Sequence, residues 1–191
     1  ASRMRDEARL LGRLRHKHIV NVYDLTRIDG RTALVMEYLE AVDLKAVVRD
    51  TKRQQVRIPL RVGLEISACV ASALDAAYNK PPFAGERALR VIHRDIKPSN
   101  IMLDCHGTVK VLDFGVAWAD FDQRESQTEE LSFGSIDYMS PERMFFDPDT
   151  PSSDVYSLGC TLYELVAQQK FGKAKLTKGE HDAFIEARLA E

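Results

Sequence analysis

His93-Arg94-Asp95-Ile96-Lys97-Pro98-Ser99-Asn100 is followed, thirteen residues beyond Asn100, by Asp113-Phe114-Gly115, and later by Ser140-Pro141-Glu142. The first stretch sets a carboxylate, an ammonium group and a carboxamide close together along the chain. The second adds another carboxylate ahead of a glycine. Between them two short apolar runs, residues 101–103 and 109–112, flank the turn-forming Asp104-Cys105-His106-Gly107. That pattern predicts a strand pair which folds Asn100 and Asp113 back together on adjacent strands. Asp95 or Asp113 alone would read as a turn or capping residue. All three stretches in this order, with strands and a long polar segment between them, are far more specific.

Together they resemble the catalytic-loop, metal-binding and Pro-Glu signatures of the protein kinase family. The resemblance covers essentially the whole chain and is to eukaryotic-like serine/threonine kinases, with a flavour of the bacterial members. It implies an α+β, two-lobed protein-kinase-like fold with an incomplete small lobe (residues 1–37, a helix and two strands). The large lobe (residues 38–191) is then mainly helical and lacks its last helices.

The chemistry implied is transfer of the ATP γ-phosphate to Ser/Thr hydroxyls of protein substrates, with ATP and Mg²⁺ bound. Such transfer depends on positioning and charge neutralisation more than on covalent catalysis. Asp95 would take the hydroxyl proton and orient the hydroxyl. Lys97 would neutralise charge developing on the transferred group. Asn100 and Asp113 would hold Mg²⁺ through hard oxygen atoms. Lys97, two residues after Asp95, matches the serine/threonine class, and Ser135 keeps the hydroxyl found in that class after Gly134.

Val35-Met36-Glu37-Tyr38-Leu39 resembles the hinge between lobes. Met36 would be the gatekeeper, and the Glu37 carbonyl and Leu39 amide would meet the adenine edge. Met102 would pack under the ring and Asp43 would reach the ribose. An apolar strand end gives the same string by packing alone. Glu7, nine residues before His16, matches the glutamate that pairs with the ATP-positioning lysine; as a lone Glu it reads equally as a solvated helix face. Leu11, Val22, His93 and Phe114 would stack into a column linking the lobes, anchored by Asp154.

Working outward, apolar positions at Ala8, Leu10, Leu11 and Leu14 predict a helix over residues 6–14. Residues 18–25 and 32–38 read as strands joined at Asp29-Gly30. Short and long helices are predicted over residues 44–50 and 59–78, the second opened by Pro59 and ended by Lys80-Pro81-Pro82. Residues 81–90 read as a loop. Residues 119–133 lose periodicity and read as a long exposed loop, with Ser126, Thr128 and Ser132 as phosphate acceptors for Arg94 or as plain loop hydroxyls. In the same loop Glu129 and Glu130 are alternative sources of negative charge. Residues 154–168 form an apolar helix, and the final twenty or so residues are helical in part.

The protein has 191 residues, 45% hydrophobic and 29% charged, with a formal net charge of −2. This is enough for one sizeable core, and no bulk positive field favours nucleic acid or anionic membrane as a partner. Three scattered cysteines without a Cys-x-x-Cys pair read as reduced thiols, giving a cytoplasmic expectation. No apolar run approaches the roughly 20 residues that span a bilayer. Protein substrates and ATP are the expected partners, and a homodimer stays open.

Two departures from the family pattern stand out. No Gly-rich phosphate-covering loop occurs, and the six residues before Glu7 include no lysine. The arginine that pairs with the Pro-Glu motif is not recognisable, which leaves Glu142 without an expected ion partner, a costly state if buried. A truncated active kinase and a kinase-like scaffold without phosphotransfer both fit. The intact Asp95, Lys97, Asn100 and Asp113 favour the first. Small-molecule kinases share the aspartates, but Gly134-Ser135 and Ser140-Pro141-Glu142 resemble a peptide-docking region and count against them.

Overall fold

The computed structural model describes residues 12–114, 136–145, 147–175 and 177–190. The expected first helix with Glu7 and Leu11, the segment with Ser126, Thr128, Glu129, Glu130 and Ser132, and Gly115, Gly134 and Ser135 lie outside the described residues.

Strands β1 (Val22–Ile28) and β2 (Arg31–Met36) form an antiparallel hairpin. Asp29 and Gly30 connect them with φ of 52° and 76°, the left-handed pair that a two-residue hairpin turn requires. The sequence placed the start of the first strand at His18, but the ladder begins at Val22. Residues 18–20 are drawn elsewhere: Val111 N donates to His18 O at 2.9 Å and Val20 N to Val111 O at 3.0 Å. Ile19 and Val20 are buried by this parallel pairing, so their apolar character reflects docking on the second sheet.

That second sheet is antiparallel, in the order β3 (Ala41–Asp43), β4 (Ile101–Asp104), β5 (Val109–Val111). β4 and β5 are the predicted strand pair. Asp104 Oδ1 accepts from His106 N at 2.8 Å and Thr108 N at 2.7 Å, and Gly107 adopts φ 83°. β3 was not legible: three residues are too few to show an alternation, and the strand exists only because β4 supplies its partner.

Helix α1 (Leu44–Arg53) and helix α2 (Leu60–Asn79) follow as expected, with Pro59 at the start of α2. A short helix α3 (Pro141–Met144) precedes α4 (Pro151–Ala167). α4 opens with a capping box in which the Thr150 side chain bonds the Ser153 N–H and the Ser153 hydroxyl faces the Thr150 N–H. α5 (Lys178–Leu189) supplies the expected C-terminal helicity.

One apolar core joins these parts. Leu44, Val70, Ala73 and Ala77 from the helices meet Ile96, Ile101, Val111 and Leu165, all essentially inaccessible. α2 and α4 cross closely at Gly63: a Cβ there would lie 3.0 Å from Val166 Cγ2 and 3.1 Å from Leu162 Cδ1. α2 thus packs against both α4 and β5, and the shared end of β4 and β5 carries the polar residues of the sequence motifs. Among the described residues, no helix is long and apolar enough to cross a membrane.

Candidate active site

Asn100 closes a 3₁₀ turn (Pro98–Asn100) just before β4, and Asp113 lies two residues past β5. Leu112 N donates to Asn100 O at 2.9 Å, which continues the strand pairing and puts Asn100 and Asp113 at the same end of the hairpin. The turn therefore does what its residue types predicted.

Asp95 sits between two cationic or polar donors. Lys97 Nζ lies 2.6 Å from its Oδ2, and Asn100 Nδ2 donates to the same Oδ2 at 2.9 Å and to Asp95 O at 2.8 Å. The Asp95 side chain keeps 32% of its surface accessible and that of Lys97 18%. This is the geometry of an accessible carboxylate held in one orientation. Asn100 is buried, and among the described residues its side chain bonds Asp95 through Nδ2, which leaves its amide oxygen as the acceptor for a hard cation.

His93 explains how the loop is held. It is fully buried, its Nε2 is 2.7 Å from Leu112 O, and its ring packs edge-on against Phe114 at 4.6 Å between centroids. Asp154, in the first turn of α4, accepts from His93 N and Arg94 N, each at 2.7 Å. Of the expected column, His93 packs on Phe114 and is anchored by Asp154, while Val22 packs against the same core. Burial drives the His93 pKa below its usual value; Asp154, the Leu112 carbonyl, Asp95 and Asp113 oppose it. Burial likewise raises the Asp154 pKa, against the pull of His93, the two amide bonds and Arg143.

Two residues here adopt left-handed backbone: Arg94 with φ 72° and Asp113 with φ 57°. For residues with a Cβ that conformation costs about 1–2 kcal/mol, and such strain persists where the surroundings over-determine it.

The hinge string lies between β2 and β3. Met36, 37% exposed, ends β2 and lines a small cavity with Val22, Ile19 and Phe114, with Asp113 on its wall. Glu37 Oε1 accepts from Lys110 Nζ at 2.5 Å and Asn21 N at 2.8 Å, and Glu37 N donates to Asn21 O at 2.9 Å. Burial pushes the Glu37 carboxyl up, but the bonds from Lys110 and Asn21 outweigh it and the net pKa is lowered. Lys110 was not singled out in the sequence, where a lysine on a short strand reads as a solvated face. Among the described residues, neither Glu37 O nor Leu39 N joins a backbone hydrogen bond. Met102 pairs with Asp43 across β4 and β3, which brings those two predicted residues together. The Asp43 carboxylate also caps α1, accepting from Ala46 N at 2.7 Å, a local duty that the sequence reading did not assign.

Glu142 is not left unpaired as expected. Ser153 Oγ donates to its Oε1 at 2.6 Å, and it stays only partly buried. A neutral hydroxyl meets its need because the carboxylate keeps some contact with water.

The chain matches the protein kinase domain family over residues 1–189. It belongs to the protein kinase family. It is 38% identical over 162 residues to serine/threonine-protein kinase PknH of Mycobacterium bovis, covering 85% of this chain and 25% of that protein. Over 160 residues it is also 38% identical to tyrosine-protein kinase MasK of Myxococcus xanthus, covering 84% of this chain and 24% of that one. The crystal structure of the Mycobacterium tuberculosis PknI kinase domain, a double mutant, superposes with a TM-score of 0.67 at 25% identity. That match covers 88% of this chain and 58% of the solved one. The chain therefore spans about a quarter of the length of the curated relatives it matches. Its fold is the α+β protein kinase fold, present in part, and its relatives here are bacterial.

Proposed function

We propose that this chain is the catalytic part of a protein serine/threonine kinase. The observation that carries the reading is the placement of the Asp95 carboxylate between Lys97 and Asn100, at the hairpin end that also bears Asp113. Kinases of this family use ATP and a divalent metal, and the residues present suit both. Asp113 and the amide oxygen of Asn100 are hard oxygen donors of the kind Mg²⁺ takes alongside substrate phosphates. Glu37 O and Leu39 N offer the acceptor and donor for an adenine edge, Met102 an apolar surface beneath it, and Asp43 a carboxylate for the ribose.

Bound Mg-ATP supplies the transferable phosphoryl group and neutralises its charge. Asp95 then accepts the proton of the protein hydroxyl and orients its oxygen. Lys97, beside Asp95, neutralises the charge that develops in transfer. Asn100 keeps Asp95 in place through Nδ2. Lys97 two residues after Asp95 favours Ser/Thr over Tyr as acceptor, although relatives bearing both descriptions are equally similar. Residues 1–37 belong to the small lobe and 38–191 to the large lobe, and the setting of the catalytic lobes is cytoplasmic.

The test is Mg²⁺-dependent transfer of phosphate from ATP by the full-length protein, beside Asp113→Asn, with phosphoamino-acid analysis of the product. Transfer to Ser or Thr that is lost in the variant supports the reading. A folded protein that neither binds Mg-ATP nor transfers phosphate overturns it in favour of a kinase-like scaffold.

A further inference from the structure

Arg94 carries unfavourable backbone at the residue immediately before Asp95, and it is restrained from α3, from α4 and from the segment between them. Asp154 takes its N–H. Arg143 Nη1 donates to its C=O. The third contact involves a residue that no motif singles out: Asp149 Oδ2 lies 2.5 Å from Arg94 Nε, while Asp149 Oδ1 lies 3.1 Å from Arg143 Nε. The three side chains retain only 16% (Arg94), 19% (Asp149) and 12% (Arg143) of their surface. Asp147 and Pro148, just before Asp149 in the chain, are exposed, so Asp149 turns inward from an otherwise solvated loop.

We infer that Asp149 is a positioning residue for the proposed phosphotransfer, acting on Asp95 through Arg94 and Arg143. One carboxylate between two guanidinium groups removes their mutual repulsion and orients both. It fixes the Arg94 side chain directly, and it aims Arg143 so that its other nitrogen reaches the Arg94 carbonyl. The Arg94 peptide is then gripped at its N–H, its C=O and its side chain. A residue gripped in that way can hold left-handed backbone, and that backbone sets the direction in which the next residue, Asp95, leaves the chain. A misdirected base loses rate without losing nucleotide affinity, because positioning acts on the reacting oxygen and not on the adenine or phosphates.

The inference rests on the kinase reading, and its test separates the two. In the full-length protein, Asp149→Asn keeps shape but removes the charge, and Asp149→Glu keeps the charge. Two quantities are read: amide hydrogen exchange at Arg94 and Asp95, and kcat against KM for ATP. Asp149→Asn is expected to speed exchange at these amides at least tenfold and to lower kcat about tenfold, with KM within twofold and Tm within a few degrees. Asp149→Glu should recover most of both. Unchanged exchange and kcat in a folded Asp149→Asn protein overturn the inference, as does a KM that rises in parallel with the fall in kcat. If the wild type transfers no phosphate, the kinase reading fails and exchange alone decides on Asp149. If Asp149→Asn does not fold, Arg143→Gln takes its place: it must loosen the same amides, and unaltered exchange there overturns the inference.

Discussion

Lys110, on the middle residue of β5, reaches Glu37 at the end of the β1–β2 hairpin, with 2.5 Å between Nζ and Oε1. Because Glu37 Oε1 also accepts from Asn21 N, one carboxylate ties the hinge to the chain entering β1 and to the strand that leads to Asp113. The backbone proposed to face adenine and the carboxylate proposed to hold metal are thereby referred to a common frame.

Lys110→Met is expected to loosen that frame. Losing a charge-assisted bond at side chains that are 15% and 17% accessible costs about 1–2 kcal/mol. The expected result is a several-fold rise in KM for ATP with kcat nearly unchanged, read by steady-state kinetics. Equal KM values in variant and wild type would show that the tether does not set the hinge. The lowered Glu37 pKa adds a pH dependence. A depressed carboxylate contributes stability above its unfolded value near 4.5, and loses it as pH falls through the folded value.

Asp95→Asn removes the proposed base yet can keep the bonds from Lys97 and Asn100. A fall in kcat of about 10²–10⁴ is expected, with ATP affinity retained. Single-turnover phosphate transfer together with equilibrium nucleotide binding makes the measurement. A tenfold or smaller loss would move the base role away from Asp95.

His93 predicts acid sensitivity. Its folded-state pKa lies below the ordinary 6.5 because of burial. At pH below 6.5 the unfolded chain therefore binds a proton that the folded chain refuses, and stability declines with falling pH. The slope reaches at most about 1.4 kcal/mol per pH unit for this one site. Denaturant titrations between neutral pH and pH 5 should show the decline, and His93→Phe should flatten it. That variant also loses the Leu112 contact, so the slope and not the absolute stability is the test.

Gly63 allows α2 and α4 to approach. Gly63→Leu must displace Val166 and Leu162, whose methyl groups would lie 3.0 and 3.1 Å from a Cβ. Overpacking of this kind costs about 1–3 kcal/mol, visible as a lower denaturation midpoint. An unchanged midpoint would mean that the interface yields freely.

Which parts of this protein could be read from the chain alone follows from how local their causes are. The candidate site was legible because Asp95, Lys97 and Asn100 share one loop, and because a short hairpin with Asp104 and Gly107 in its turn returns Asp113 to them. Helices α1 and α2 announced themselves through apolar spacing and Pro59. What the chain did not show by itself depends on partners distant in sequence. Residues 18–20 looked like the start of β1 but pair with β5. β3 needs β4 to exist, and Lys110 is an ordinary surface lysine until Glu37 is folded against it. Asp149 reads as a loop acid, and only packing of the α3–α4 segment under the catalytic loop sets it between two arginines. Residue type and spacing thus determined the family and which chemistry is proposed for it. Tertiary structure decided which groups hold that chemistry in position, since a charge-assisted bond is specified by two distant segments meeting and leaves no pattern in either segment alone.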